Sequence, residues 1–302
     1  MISICIPVYN HNVRALVNDL HRQAAIWPGG FEIWVMDDAS PRHHFRKQNR
    51  EIEKLEKVNY VELNENVGRS KVRNMLAQKA RGDHLLFLDC DVLLPGDDFM
   101  TRYRVAMEQD SEVFCGGHVY PVQPPGNDQF LHWYYGTYRE TVAIETLPAS
   151  QAFMSGNFLI PKEVFNRIRF NESIRGYGHE DTLFGLELAR AGVNVWRIDN
   201  PVIHMGLDTN EAFLEKTRES VEGLLQIYRD FEGQTDFLEN VRLLKTYLFL
   251  KKVRLCGLMR LLFKGFRSFL ERNLTSTAPR LVFLDLYKLG YMCKVNKSNP
   301  ES

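Results

Sequence analysis

Two carboxylates, two residues apart, end an apolar run in "GDHLLFLDCDVLLPGDD", Gly82 to Asp98. On an extended backbone such side chains leave the chain on the same side, so Asp89 and Asp91 face one way. Acids held together at the end of a buried strand repel each other and lose water unless a cation joins them. Oxygen donors suit Mg2+ or Mn2+, which also bridge phosphate oxygens. The expected partner of the pair is therefore a divalent ion carrying a diphosphate. A second acidic pair, Glu180-Asp181, heads the stretch "EDTLFGLELARAG", where a helix dipole favours negative charge. A carboxylate within reach of a hydroxyl can take its proton. His204, in "NPVIHMG", offers an imidazole that is either structural or a metal ligand.

An acid pair in a solvated loop would mean little, so the elements that carry these residues decide the matter. "ISICIPVY", "FEIWVMDDAS", "NYVELNENVG" and "DHLLFLD" read as strands, separated by the helical stretches "VRALVNDLHRQAA", "HHFRKQNREIEKLEKV" and "RSKVRNMLAQKARG", the last closed by Gly82. That alternation predicts an α/β fold: a mainly parallel sheet flanked by helices. Ligands of such sheets bind outside the carboxyl ends of the strands. The four strand ends here carry Pro7-Val8-Tyr9-Asn10, Asp37-Asp38, Asn64 to Gly68, and Asp89-Cys90-Asp91. Taken singly, Asp37-Asp38 could cap the following helix and Gly68 could serve only a tight turn.

Beyond Pro95 the pattern predicts a helix in "DDFMTRYRVAMEQ", one strand in "SEVFCGGHVYPV", a strand entering a helix at Pro161, a helix from near Glu180 to Gly192, and a strand in "VNVWRID". Pro124 to Ser155 shows weak periodicity. There His132, Trp133, Tyr134 and Tyr135, with His118 before them, are core candidates first and sugar-stacking candidates second. Residues 211 to 302 read as helical.

Composition narrows the classes. The chain has 302 residues, 44% of them hydrophobic, and a formal net charge of zero, which speaks against a nucleic-acid partner. Five scattered cysteines form no metal-binding spacing and read as thiols of a reducing compartment. The start has no signal-peptide pattern and no stretch is apolar long enough to span a bilayer, so a cytoplasmic protein is expected. From Arg242 to Lys297 bases far outnumber the acids Glu271 and Asp285.

"ISICIPVYN", "WVMDDAS", "NENVGRSKVRNML" and "RGDHLLFLDCDV" occur in the order of the motifs of family 2 glycosyltransferases, and residues 1 to about 205 resemble that family. The resemblance implies a GT-A fold, a nucleotide-sugar donor (usually a UDP-sugar) and Mn2+ or Mg2+. It places Pro7, Val8, Tyr9, Asp37 and Asp38 at the base and ribose, and Asn66, Gly68 and Arg73 around the donor. Asp89 and Cys90 fall beside the ribose, and Asp91 binds the metal with Asp89 and His204. "IRGYGHEDTLFGLELARAG" resembles the segment of β-1,4-galactosyltransferases in which the Asp is general base and the Glu holds the acceptor, roles that fall to Asp181 and Glu180. His179 stands where a small residue is usual. Direct displacement by the acceptor hydroxyl inverts the anomeric centre.

The implied organisation is a catalytic domain over 1–206 and a helical extension over 207–302. From Asp236 onward a basic amphipathic pattern suits either an anionic membrane surface bearing a lipid-linked acceptor or a helix packed on the catalytic domain. Capsule or envelope polysaccharide synthesis is the expected pathway, with a saccharide or lipid-linked saccharide acceptor. Two other classes share the scaffold: a sugar-nucleotide nucleotidyltransferase, disfavoured because "PVYNHNVRAL" lacks a glycine-rich basic phosphate loop, and a non-catalytic carbohydrate-binding module.

Overall fold

Strand β1 (Ile2–Val8) sends alternate side chains to opposite faces, as the period of two in a strand requires. Ile2, Ile4, Ile6 and Val8 enter one core cluster, and Cys5 enters another. Both faces of the strand are covered, which explains a run that is apolar almost throughout. The computed structural model describes residues 1–109, 112–141, 153–174, 178–230 and 241–298. Gly176, much of the Pro124–Ser155 stretch (142–152) and the first residues of the basic tail (236–240) lie outside the described residues. The chain divides into two units: Met1–Pro121, Thr141–Arg175 and Glu180–Gly206 form one, and Val122–Glu140, Gly176–His179 and Leu207–Ser302 the other.

In the first unit β1 pairs in parallel with β2 (Phe31–Asp37) and β4 (His84–Leu88), and β2 pairs in parallel with β3 (Val58–Glu62). Strand β8 (Asn157–Pro161) runs antiparallel to β4 and to β6 (Val113–Cys115), and β9 (Val195–Arg197) runs parallel to β6. The seven-stranded order is β3-β2-β1-β4-β8-β6-β9. Helices α1 (Arg14–Ala24) and α4 (Phe99–Ala106) bury Leu16, Val17, Leu20, Phe99 and Tyr103 in the cluster on one face. Helix α3 (Arg69–Lys79), α6 (Lys162–Arg167) and α7 (Glu180–Arg190) bury Val72, Leu76, Phe165 and Phe184 in the cluster on the other. Helix α2 (His43–Asn49) covers the second crossover. The fold is the expected mixed, mainly parallel α/β sheet between helices.

Two local expectations change. The stretch "SEVFCGGHVYPV" is not one strand. It gives β6 to the large sheet and β7 (His118–Val119) to a second sheet of order β5-β10-β7, with β5 at Val92–Leu93 and β10 at Val202–His204. The break falls at Gly116-Gly117, where Gly117 takes φ +68° and a side chain on Gly116 would overlap Asn157 and the Asn200 carbonyl. Helix α3 ends at Lys79, with Ala80 extended, so Gly82 does not close it. Gly82 is instead pressed against β1, where a Cβ would lie 2.7 Å from the Ser3 nitrogen.

Asn157 holds the junction of the two sheets. Its amide donates to the Gly117 and Asn200 carbonyls at 2.8 and 2.9 Å, and it accepts from the Tyr103 hydroxyl at 2.6 Å, all buried.

The second unit contains α5 (Phe130–Tyr135), α8 (Asn210–Asp230), α9 (Arg242–Lys252), α10 (Cys256–Leu274) and α11 (Leu281–Ser298). Leu131, Phe213, Phe263, Leu270, Leu284 and Tyr287 belong to its own core. His132 is buried against Phe213 and accepts the Asp208 N–H at 2.9 Å, and Trp133 is also buried, so both are core residues here. Among the described residues no helix is long and apolar enough to cross a membrane.

Asn157→Leu should lower unfolding stability by about 2–4 kcal/mol, since it strands two buried carbonyls and a hydroxyl. Urea denaturation followed by circular dichroism reads this, and an unchanged midpoint would show that the network carries little.

Candidate active site

The ends of β1, β2 and β3 are tied together by two carboxylates. Asp37, fully buried, accepts the Ser40 N–H at 2.7 Å and its hydroxyl at 2.8 Å, and the Ser40 oxygen accepts the Asn10 N–H at 2.8 Å. Asp38 accepts the N–H groups of Val67 and Gly68 at 2.7 and 3.0 Å, while its carbonyl takes the Asn66 amide at 3.1 Å. Asp38 thus ties down the loop that leads into α3. Neither acid caps the next helix, α2, and α3 has no side-chain cap either. Gly68 takes φ +87°, a conformation that suits glycine, with open space where a side chain would stand. The Val8 carbonyl accepts the Asp38 N–H, Pro7 is half-buried, and Tyr9 is exposed on the rim. Pro7, Val8, Tyr9, Asp37, Asp38, Asn66 and Gly68 are therefore gathered at the carboxyl ends of β1, β2 and β3.

Asp89 already has a cation. Arg73, 2% exposed, reaches it from α3 with Nη2 donating to Oδ1 at 2.8 Å. The spacing of Asp89 and Asp91 predicts an external ion; Asp89 Oδ1 also has an internal counter-ion, the Arg73 guanidinium. Arg73 also lies 3.7 Å from Glu180 Oε1 and packs over the Phe170 ring, while Arg69, one turn earlier, donates to the same Glu180 oxygen at 3.2 Å. Glu180 Oε2 and Arg73 Nη1 are buried without a hydrogen bond.

These charges separate the carboxyl groups. Burial would raise Asp89, but Arg73, Arg69 and His204 outweigh it and hold the group below its usual range. Glu180 is likewise lowered, burial being overcome by Arg69 and Arg73. Asp181 goes the other way, to about 7, through loss of water first and the Glu180 charge second; the Thr182 N–H and the two arginines oppose this only in part. Adjacent residues on one helix therefore supply a fixed anion and a carboxylate poised near neutrality. Burial, with Asp91 next, pushes the Cys90 thiol up and leaves it un-ionised.

Asp91 faces His204, with Oδ1 3.7 Å from Nδ1, and the His204 ring meets those of His118 and Tyr120. His11 senses the same place: burial lowers it, Asp91 opposes and His204 adds. Two glycines make room for the acids. A Cβ on Gly156 would lie 2.6 Å from Asp89 Oδ2, and one on Gly206 would overlap Asp91 Oδ2. Among the described residues no three His, Cys, Asp or Glu form a closed metal cage. Asp91 and His204 offer one oxygen and one nitrogen, a set that suits an ion completing its shell with phosphate or water.

Residues 3–169, more than half the chain, match the model of glycosyl transferase family 2. The chain belongs to that family. Glu180, Asp181 and His204 lie past the matched family segment. Glycosyltransferase GlyG of Streptococcus pneumoniae serotype 4 is 24% identical over 185 residues, 58% of this chain and 61% of that protein. An uncharacterized glycosyltransferase of Haemophilus influenzae is 27% identical over 127 residues, 38% of this chain and 48% of its own. The chain therefore spans less than two thirds of either relative. Among solved structures, a mannosyltransferase from Pyrobaculum calidifontis in complex with GDP-Man and Mn2+ superposes with a TM-score of 0.60 at 14% identity. That match covers 98% of this chain and 86% of the other, and it shows a shared fold.

Within this family 2 site, His11, Arg69, Gly156 and Gly206 escaped the reading of the sequence. Arg69 could have been found from its spacing of four to Arg73 on a helix, and Gly206 from its place directly after a strand. Arg73→Met should cost about 3 kcal/mol in urea denaturation, because it leaves Glu180 and Asp89 without their shared cation. A variant as stable as the parent would show that the charges are not coupled.

Proposed function

We propose that this chain is an inverting, metal-dependent glycosyltransferase that moves a sugar from a nucleotide-sugar donor to a hydroxyl of a saccharide or lipid-linked saccharide. The donor is expected to be a UDP-sugar and the setting cytoplasmic synthesis of envelope or capsule polysaccharide, with catalysis in residues 1–206 and a helical extension over 207–302. One observation carries the reading: Asp181, beside a charge-locked Glu180, has its carboxyl raised to about 7. A group so poised is ionised enough to accept a proton and basic enough to hold it.

Each residue then has a task. Tyr9 and the loops tied by Asp37 and Asp38 receive the nucleoside, with Asn66 and Gly68 beneath it and Cys90 as an un-ionised wall. Arg73 holds Asp89 in place for the ribose. Asp181 takes the acceptor proton as its oxygen attacks the anomeric carbon from the face opposite the departing diphosphate, and Glu180 holds the acceptor. Asp91 and His204, with Asp89 alongside, would hold Mn2+ or Mg2+, which stabilises charge on the leaving diphosphate when bound. The charge balance supports this: Asp89, Asp91 and Glu180 exceed Arg69 and Arg73 by one negative charge, and by two once Asp181 ionises, a surplus that a divalent ion offsets.

A panel of UDP- and GDP-sugars tested with Mn2+, Mg2+ or chelator should give turnover with one donor and only with metal. The Pyrobaculum neighbour's GDP-Man is the reason to include both nucleotides. Asp181→Asn should lower kcat by about 100- to 10,000-fold while donor KM stays within about twofold. A variant with near-normal transfer removes the base assignment.

With Asp181 at about 7, kcat/KM should rise with pH to a plateau above neutrality. A profile that is flat across neutrality contradicts it. The same shift has a stability sign. The folded carboxyl keeps a proton that the unfolded chain loses near its ordinary value of 3.8, so this group's contribution to stability falls between that pH and about 7. Asp181→Asn should therefore raise the melting temperature more at pH 8 than at pH 4, and the reverse order would deny the shift.

A further inference from the structure

The second unit holds an apolar strip that its own core does not use. Helix α10 turns Phe263, Leu270 and Leu274 inward. On another side, at helical spacing, Leu258, Leu262, Phe266 and Phe269 are 54, 46, 58 and 58% exposed. Phe283 and Leu286 of α11 border the same groove, and Phe269 and Phe283 touch at 5.6 Å between ring centres. A contiguous exposed patch with several large side chains marks a binding surface rather than scatter.

Charge selects the partner. Residues 242–298 carry thirteen Lys and Arg against two acids, Glu271 and Asp285. Lys251, Lys252 and Arg254 are exposed just before α10, and Arg272 and Arg280 are exposed around its far end. An apolar strip bracketed by cations matches an anionic bilayer, with acyl chains below and headgroup phosphates beside it. A second copy of this chain would bring the same excess of positive charge and be repelled. Since no described helix can span a bilayer, the contact would be interfacial. We infer that the exposed face of α10 and α11 docks on an anionic membrane surface through Leu258, Leu262, Phe266 and Phe269, with Lys251, Lys252 and Arg254 on the headgroups. The inference goes beyond the proposed activity and does not depend on it.

Full-length protein is sedimented at low salt with phosphatidylcholine vesicles, with and without phosphatidylglycerol. Binding should be at least about tenfold stronger to the anionic vesicles. The double variant Leu262→Glu/Phe266→Glu should lose that binding with an unchanged circular dichroism spectrum and unchanged turnover of a soluble acceptor. Lys251→Glu/Lys252→Glu, which leaves the apolar strip intact, should weaken it and flatten its salt dependence. Equal or absent binding to the two vesicle types overturns the inference. So does a dimer in light scattering that Phe266→Glu dissociates, since a second copy then covers the face. Because vesicle binding is read without donor or acceptor, its failure would leave the catalytic reading untouched, and loss of turnover in the panel would leave this one untouched.

Discussion

A guanidinium with almost no access to water cannot exist without anions, and the site is organised around that constraint. Arg73, on α3, is met by Asp89 from the end of β4 and by Glu180 from the head of α7. Two consecutive elements and a third about a hundred residues further on are thereby fixed at one point, at the carboxyl end of β4. Were the charge removed, two carboxylates would face each other with only Arg69 between them, a costly arrangement away from water. The geometry of the strand ends and the ionisation of the acids thus share one cause.

That cause also divides the labour among chemically similar groups. Asp37 and Asp38 spend their oxygens on backbone and hydroxyl donors and hold the loops. Asp89 and Glu180 are kept ionised by arginine. Burial and a neighbouring anion raise both Asp38 and Asp181, but Asp38 is spent on the Val67 and Gly68 N–H groups, whereas Asp181 reaches about 7, which under the proposed function makes it the base. Asp91, next to His204 and set against Gly206, is the acid that the proposed function assigns to the cation. Sequence spacing alone made Asp89 and Asp91 equivalent, whereas the fold makes them different.

The alternation of periods placed the strands β1 to β4 and the helices between them, because both faces of the sheet are covered and apolar runs report that directly. The strand-end acids were legible for the same reason, and the ordered motifs carried the family. Pairing across elements was not legible: nothing in "GRSKVRNML" says that Arg73 reaches Asp89, since the contact depends on helix rotation over the sheet. Glycines whose role is close approach looked like turn residues. Gly82 read as a helix stop and proved to be a contact with β1, and Gly116-Gly117 read as strand and proved to be the switch between sheets. A missing Cβ is informative only once its neighbours are known.

The claim that an internal arginine satisfies Asp89 and leaves Asp91 for the metal is tested most directly by Mn2+ binding measured by electron paramagnetic resonance in the presence of UDP. Asp91→Asn should weaken Mn2+ at least about tenfold, the loss of one charged ligand, while Asp89→Asn leaves it within about threefold. Equal losses in the two variants, or a larger loss from Asp89→Asn, would contradict the account.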